Sequence, residues 1–148
     1  MKSILYINAC VRKESRTRIL AEQLLNKLNL PCEEIRLVDL SFPAMLKQYL
    51  ELINVVGVTF KYSKEGVPLG RCRAESLFYV TTAGGQYVPE EFGFGYVKAL
   101  AQNFYGIPDV RKIEAAGLDI YGADVDAIME RASAGLLHFQ NRMPVPQA

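Results

Sequence analysis

The chain has 148 residues, half of them hydrophobic, which allows one compact domain with a hydrophobic core and makes two domains unnecessary. Its formal net charge at pH 7 is only +1, so no excess of either sign favours nucleic acid or an anionic membrane as a partner. Small molecules are therefore the predicted ligands.

The start of the chain and the cysteines indicate the compartment. The first apolar run stops at Arg12 and Lys13 without a small-residue cleavage pattern, which favours a buried strand over a secretory signal. The three cysteines are odd in number and lack metal-binding spacing. We therefore predict a cytoplasmic protein that has no metal site and no membrane span.

The first part of the chain predicts a strand, a helix and a strand. Ser3–Ala9 is a short apolar run typical of a strand. From Thr17 to Leu28, leucine and alanine recur at three- and four-residue spacing, which predicts a helix that Pro31 ends. Glu33–Leu40 alternates loosely and predicts the second strand.

A second helix and an exposed excursion follow. Ser41 can cap this helix, and Gly57 is expected to end it. The residues of its apolar stripe are Leu46, Tyr49, Leu50, Ile53 and Val56. Residues 58–75 are rich in charge, glycine and proline, which indicates an exposed excursion that a hairpin would fit.

The second half continues the alternation. Leu77–Val80 is a continuous apolar run followed by the glycine-containing loop Thr81–Gly85, the composition of a strand buried on both faces. A helix is expected to begin at Glu90 and to end at Gly106. Val110–Leu118 then predicts another strand.

The last predicted helix begins at Asp124, and the tail after Asn141 is expected to be loose. Strands that alternate with helices of these lengths predict an α/β fold, a parallel sheet covered by helices. Ligands of such sheets bind beyond the carboxyl ends of the strands, so the candidate loops are residues 9–17 and 81–88.

The first loop has the composition of an anion site. Ser15 and Thr17 offer hydroxyl groups, and Arg12 and Arg16 offer cations, beside the N-terminus of the first helix. The loop matches neither a Walker loop nor GxGxxG. On composition alone, a solvated loop with an ordinary helix cap fits equally well.

Five motifs follow one another along almost the whole chain: Ile7–Thr17, Ser41–Lys47, Gly57–Gly66, Thr82–Gly85, and Phe104–Val110 with Ala115–Leu118. In this order they resemble the motifs of the FMN-dependent NAD(P)H:quinone reductases and azoreductases. The first is similar to the family's flavin phosphate loop, and the fourth stands where the family has a second flavin loop. The resemblance implies one flavodoxin-like domain over 1–148, a doubly wound parallel sheet with helices on both faces.

The resemblance also implies noncovalently bound FMN, NAD(P)H as electron donor, a quinone or azo compound as acceptor, and a homodimer. Because the flavin carries the chemistry, no catalytic side chain is expected. The implied cofactor-binding residues are Cys10, Arg12, Ser15, Arg16, Thr17, Asp39, Leu40, Thr82, Ala83, Gly84 and Gly85. Tyr87 is the candidate substrate-binding residue, although a packed tyrosine fits the sequence equally well.

Four departures separate the chain from the family pattern. Cys10 replaces a serine, Val11 replaces a proline, and Ala83 replaces an arginine. Near residues 40/41 the second strand runs directly into the next helix, which leaves roughly 40–50 family residues unaccounted for, far more than loop variation explains. Those residues include the family's central third strand.

Three explanations of this join remain open. They are a segment left out of the sequence, a deletion in the gene, and use of Glu33–Leu40 as the central strand with loss of the usual second strand. A deletion predicts that the strands Ser3–Ala9 and Leu77–Thr82 pair directly, whereas an omitted segment predicts that they lie apart. The rival to the enzyme is a non-catalytic flavodoxin-like remnant or binding protein that no longer retains flavin.

Overall fold

The computed structural model describes residues 3–8, 10, 14–36, 42–91 and 93–135. Apart from an inserted hairpin, strands and helices alternate along them, as the sequence predicts. The elements are β1 (Ile4–Asn8), α1 (Arg16–Leu28), β2 (Cys32–Arg36), α2 (Phe42–Ile53), β3 (Phe60–Tyr62), β4 (Pro68–Gly70), β5 (Ser76–Thr82), α3 (Phe94–Leu100), β6 (Asp109–Ala115) and α4 (Val125–Ala134). A π-helical turn, Ala101–Tyr105, continues α3 directly.

The strands pair in twos. β1 and β2 are parallel, and β3 and β4 form the antiparallel hairpin that the excursion predicted. β5 pairs with β6. Where the two strands begin, the Ser76 hydroxyl donates a hydrogen bond to the Asp109 carboxylate at 2.9 Å. Where they end, the Ala83 N–H donates to the Ala115 carbonyl at 2.9 Å. The two strands thus begin together and end together, so β5 and β6 are also parallel.

The chain forms two compact units, each assembled from separated segments. One comprises residues 1–40, 80–87 and 113–148, and the other comprises residues 41–79 and 88–112. One boundary between the units falls at the join between residues 40 and 41. The single domain predicted for residues 1–148 stays a prediction.

Local capping explains the bounds of α1. The Ser15 hydroxyl accepts a hydrogen bond from the Arg18 N–H, and Asn29 adopts the left-handed conformation at the other end. The helix therefore ends at Leu28, three residues before Pro31, the predicted stop. Leu20 on its inner face is fully buried against Ala115 and Leu118 and forms the core of the first unit.

The second unit has its own core. Ala101, Tyr105 and Ile107 are buried there, and Ile53 of α2 packs against them. The hairpin docks on the same region, because a Cβ atom at Gly70 would clash with the backbone of Tyr105 and Gly106. Close backbone contact of this kind tolerates only glycine.

The predicted C-terminal ends of α2 and β6 are wrong, because each element stops earlier in the chain than its sequence pattern indicated. α2 stops at Ile53, whose carbonyl accepts a hydrogen bond from the Thr59 hydroxyl at 2.9 Å, so Val56 is exposed and not part of a buried stripe. β6 stops at Ala115 and not at Leu118. Gly117 takes a φ of +82°, which lies outside the extended region of regular strands.

Two further predictions about the second half are also wrong. α3 begins at Phe94, not at Glu90. β5 is half-buried along its whole length and not buried on both faces. Within the described residues β5 pairs with β6 alone, so more of its surface is exposed to solvent than in a strand that pairs along both edges.

The bond between Leu40 and Ser41 lies outside the described residues, as do the predicted Ser41 cap, the strand residues 37–40 and the tail after Asn141. Within the described part of the chain, β1 and β5 belong to separate two-stranded sheets. The direct pairing that a deletion predicts is therefore not found between these strands.

The burial of Leu20 predicts the cost of removing it. Replacing Leu20 by alanine should lower the free energy of unfolding by about 2–5 kcal/mol, because a cavity forms beneath α1. Ile19→Ala is the matched control, since Ile19 is 45% exposed, and it should cost less than about 1 kcal/mol. Urea unfolding measures both, and equal losses would contradict this packing.

Candidate functional site

The turn that leaves β1 is fixed by a buried asparagine. The Asn8 side chain donates to the Glu34 carboxylate at 2.6 Å, and its carbonyl oxygen accepts from the Cys10 N–H at 2.9 Å. Asn8 therefore positions Cys10 at the start of the first candidate loop. Sequence reasoning missed this residue, although a polar side chain at the end of an apolar strand was a signal.

Tyr6 lies on β1 close to this turn. Burial raises the pKa of Tyr6 to about 12, and the nearby Cys10 and Glu34 add to the rise. Its hydroxyl has no hydrogen-bond partner among the residues that the structure describes. At neutral pH the phenol is therefore protonated and adds no charge to the loop.

The N-terminus of α1 meets the second candidate loop. The hydroxyl oxygens of Thr17 and Thr82 lie 2.8 Å apart and share a hydrogen bond. Ser15 caps the same helix end. The two loops chosen from the sequence are therefore neighbours, although Arg12 of the first loop lies outside the described residues.

A third loop completes the arrangement. Four backbone hydrogen bonds tie residues 83–85 to residues 115–119, with N···O distances of 2.9, 3.2, 2.9 and 3.0 Å. The sequence analysis missed this third loop because it extended the strand through Leu118. The signal was Gly117, whose positive φ turns the chain toward residues 83–85.

Gly84 and Gly85 have different surroundings. A Cβ atom at Gly84 would clash with the carboxylate of Asp119, so that side chain covers the space beside Gly84. At Gly85 nothing lies within 4 Å of such an atom. A ligand can therefore approach the backbone at Gly85 directly, whereas at Gly84 it meets Asp119 first.

Arg16 has an acidic partner that the sequence did not reveal. Its Nη1 atom lies 3.1 Å from Oδ1 of Asp119, and the two side chains are 43% and 73% exposed. The pair is therefore reached by solvent on both sides. Arg16 therefore contacts the third loop, and Asp119 balances its charge.

Tyr87 is 82% exposed, so the alternative of a packed tyrosine is wrong. A separate cavity of about 350 Å³ lies between the third loop and α4, and Gln86, Gly117, Tyr121 and Arg131 are among its lining residues. Tyr87 does not line this cavity.

Among the described residues, no helix is both long and apolar enough to cross a bilayer. No three histidine, cysteine, aspartate or glutamate side chains in the same part of the chain come together to hold a metal ion.

The geometry defines a class of protein. A capped helix N-terminus, two hydroxyls, an arginine and open backbone at Gly85 lie at the carboxyl ends of parallel strands. In α/β proteins this edge binds ligands, and a helix N-terminus there favours an anionic group.

Comparison with known proteins then identifies the family. Residues 39–138 match the model of the family described as having a flavodoxin-like fold, which is more than half of the chain. The chain belongs to this flavodoxin-like family, and the predicted fold is confirmed. The match begins at the join, so residues 9–17 lie outside it.

Within this fold family, the chain is similar in sequence to curated quinone reductases. The FMN-dependent NADH:quinone oxidoreductase of Clostridium beijerinckii is 40% identical over 96 residues, which are 64% of this chain and 48% of that protein. The chain thus spans about half the length of the curated relatives it matches. The resemblance to FMN-dependent quinone reductases is confirmed at this level.

Solved structures give the same fold. An azoreductase from Bacillus anthracis str. Sterne superposes with a TM-score of 0.77 at 17% identity and covers 97% of this chain and 100% of its own. An FMN-dependent NADH-azoreductase from Bacillus anthracis str. Ames Ancestor, in complex with FMN, has a TM-score of 0.76 at 18% identity and covers 96% and 99%.

The contact between the two loops predicts an energetic coupling. Thr17→Val and Thr82→Val each leave one hydroxyl without its partner, whereas the double change removes both, so the double variant should lose less stability than the two losses added together. We expect a coupling of about 0.5–1.5 kcal/mol in the free energy of unfolding, measured with urea.

Thr81→Val is the control, because Thr81 points to the opposite face of β5 from Thr82. Combined with Thr17→Val, it should be additive within about 0.5 kcal/mol. Equal coupling for both threonines would argue against a specific Thr17–Thr82 bond.

Proposed function

We propose that this chain is an FMN-dependent oxidoreductase that transfers electrons from NAD(P)H to quinones, azo compounds or similar acceptors. The observation that carries the proposal is the 2.8 Å contact between the Thr17 and Thr82 hydroxyls, which joins an anion-binding helix end to an open backbone loop. The printed name of the Clostridium beijerinckii relative supports the reaction class.

Two parts of the site fit the two ends of FMN. The phosphate would bind Ser15, Arg16 and Thr17, where N–H groups and the helix dipole favour an anion. The isoalloxazine edge would lie against the main chain from Thr82 to Gly85, where the open space at Gly85 fits a flat ring. When bound, FMN supplies the hydride chemistry, and these residues bind and orient it.

Other assignments extend the proposal. Cys10, held by Asn8, would face the phosphate with its half-buried thiol, and Ala83 would contribute only its main chain. Arg12, Asp39 and Leu40 lie outside the described residues and stay proposed cofactor contacts.

The acceptor, the partner and the compartment also belong to the proposal. Tyr87 would contact the acceptor, because its ring is exposed beside the flavin loop. The resemblance supports a homodimer. The odd number of cysteines, all free, supports a reducing cytoplasm.

The proposal predicts FMN in preference to FAD. The first loop offers a cluster sized for one phosphate and lacks the GxGxxG turn that binds a pyrophosphate. After incubation with both flavins, denaturing release and chromatography should recover FMN. Recovery of FAD alone, or of no flavin, would refute the assignment, and the latter would favour the flavodoxin-like remnant.

A second prediction locates the phosphate. Arg16→Ala combined with Thr17→Ala should weaken FMN binding at least about tenfold, because charge-assisted contacts to phosphate are worth roughly 1.5–3 kcal/mol each. Riboflavin, which has no phosphate, should bind both proteins alike. Fluorescence titration measures each affinity.

Lys27→Ala removes one positive charge from the last turn of α1, roughly 16 Å along the same helix from Arg16, and serves as the control. It should change FMN affinity less than about twofold at about 0.1 M salt, since that distance exceeds the Debye length of roughly 10 Å. Unchanged FMN affinity in the double variant would place the phosphate elsewhere.

A further inference from the structure

Asp119 touches both halves of the proposed flavin site. Its Oδ1 atom lies 3.1 Å from Nη1 of Arg16, and its N–H donates to the Gly84 carbonyl at 3.0 Å. Its carboxylate also occupies the space that a Cβ atom of Gly84 would fill. One carboxylate therefore stands beside the cation and beside the flavin loop.

We propose that Asp119 sets the affinity of this site for phosphate-bearing ligands by competing with the phosphate for Arg16. This inference rests on the proposed function, because it assigns Arg16 to the phosphate of FMN. Asp119 is then a specificity-determining residue and not a catalytic one.

Two effects act in the same direction. A carboxylate and a phosphate repel each other at short range, and the carboxylate also takes up one of the five N–H donors of Arg16 and balances its charge. Both effects weaken phosphate binding. Because Arg16 and Asp119 are both open to solvent, water screens the pair, and the carboxylate can be displaced.

Asp119→Asn isolates the charge, because asparagine keeps the shape of the side chain. We expect FMN to bind about three- to tenfold more tightly to this variant at low ionic strength, with the gain shrinking as salt is added. Riboflavin should bind within about twofold of the unchanged protein, because no phosphate is there to be repelled.

Three further variants complete the test. Asp119→Glu keeps the charge and should resemble the unchanged protein. Glu130→Gln removes an exposed acid from α4 and changes net charge equally, so it controls for long-range electrostatics. In the Arg16→Gln background, Asp119→Asn should give a smaller gain, because only the repulsion remains.

Fluorescence titrations with FMN and riboflavin, at low and high salt, measure these effects, and circular dichroism verifies that each variant folds. FMN affinity that does not rise in Asp119→Asn overturns the proposal while the flavin function stands. A rise equal to that of Glu130→Gln overturns it too, since net charge would explain it. A rise of the same size in riboflavin affinity also overturns the proposal, because Asp119 would then act on the ring and not on the phosphate.

Inorganic phosphate provides a probe that does not depend on flavin. If the unchanged protein binds no FMN, the proposed function fails, and the thermal midpoint is then measured with increasing phosphate. A larger phosphate-induced shift for Asp119→Asn than for both the unchanged protein and Glu130→Gln still supports competition for Arg16. Equal shifts overturn it.

Discussion

The parallel pairing of β5 with β6 is the constraint on which the site depends. Parallel strands end at the same edge, so the loops that follow them must lie side by side. Four backbone hydrogen bonds between residues 83–85 and 115–119 then hold those loops together. This leaves the backbone at Gly85 open and brings Asp119 over Gly84.

The N-terminus of α1 adds the electrostatic part of the site. Capping by Ser15 and the contact of Thr17 with Thr82 fix the direction of the helix end, where partial positive charge accumulates. Arg16 adds a full positive charge, and Asp119 balances it. In the proposed function, the affinity for an anion is the difference between its attraction to Arg16 and its repulsion by Asp119, two residues that are 103 positions apart in sequence.

Packing connects this surface to the core. Leu20 lies one turn beyond Thr17 on α1 and packs against Ala115 and Leu118, which flank the turn at Gly117. The same helix therefore carries the proposed anion site at its N-terminus and packs against the third loop through Leu20. The stability of the first unit and the geometry of the candidate site therefore both depend on α1 and on the turn at Gly117.

The sequence by itself determined the elements whose signals are local. The leucine spacing of α1, the start of α4 at Asp124, and the turn chemistry of the hairpin depend on near neighbours, so they could be predicted. The two candidate loops were chosen because each directly follows a predicted strand of a parallel sheet. The ends of α2 and β6 could not be predicted, because the Thr59 hydroxyl and the turn at Gly117 decide them. Only the tertiary structure gave Arg16 its partner Asp119, since a pair so distant in sequence leaves no local pattern.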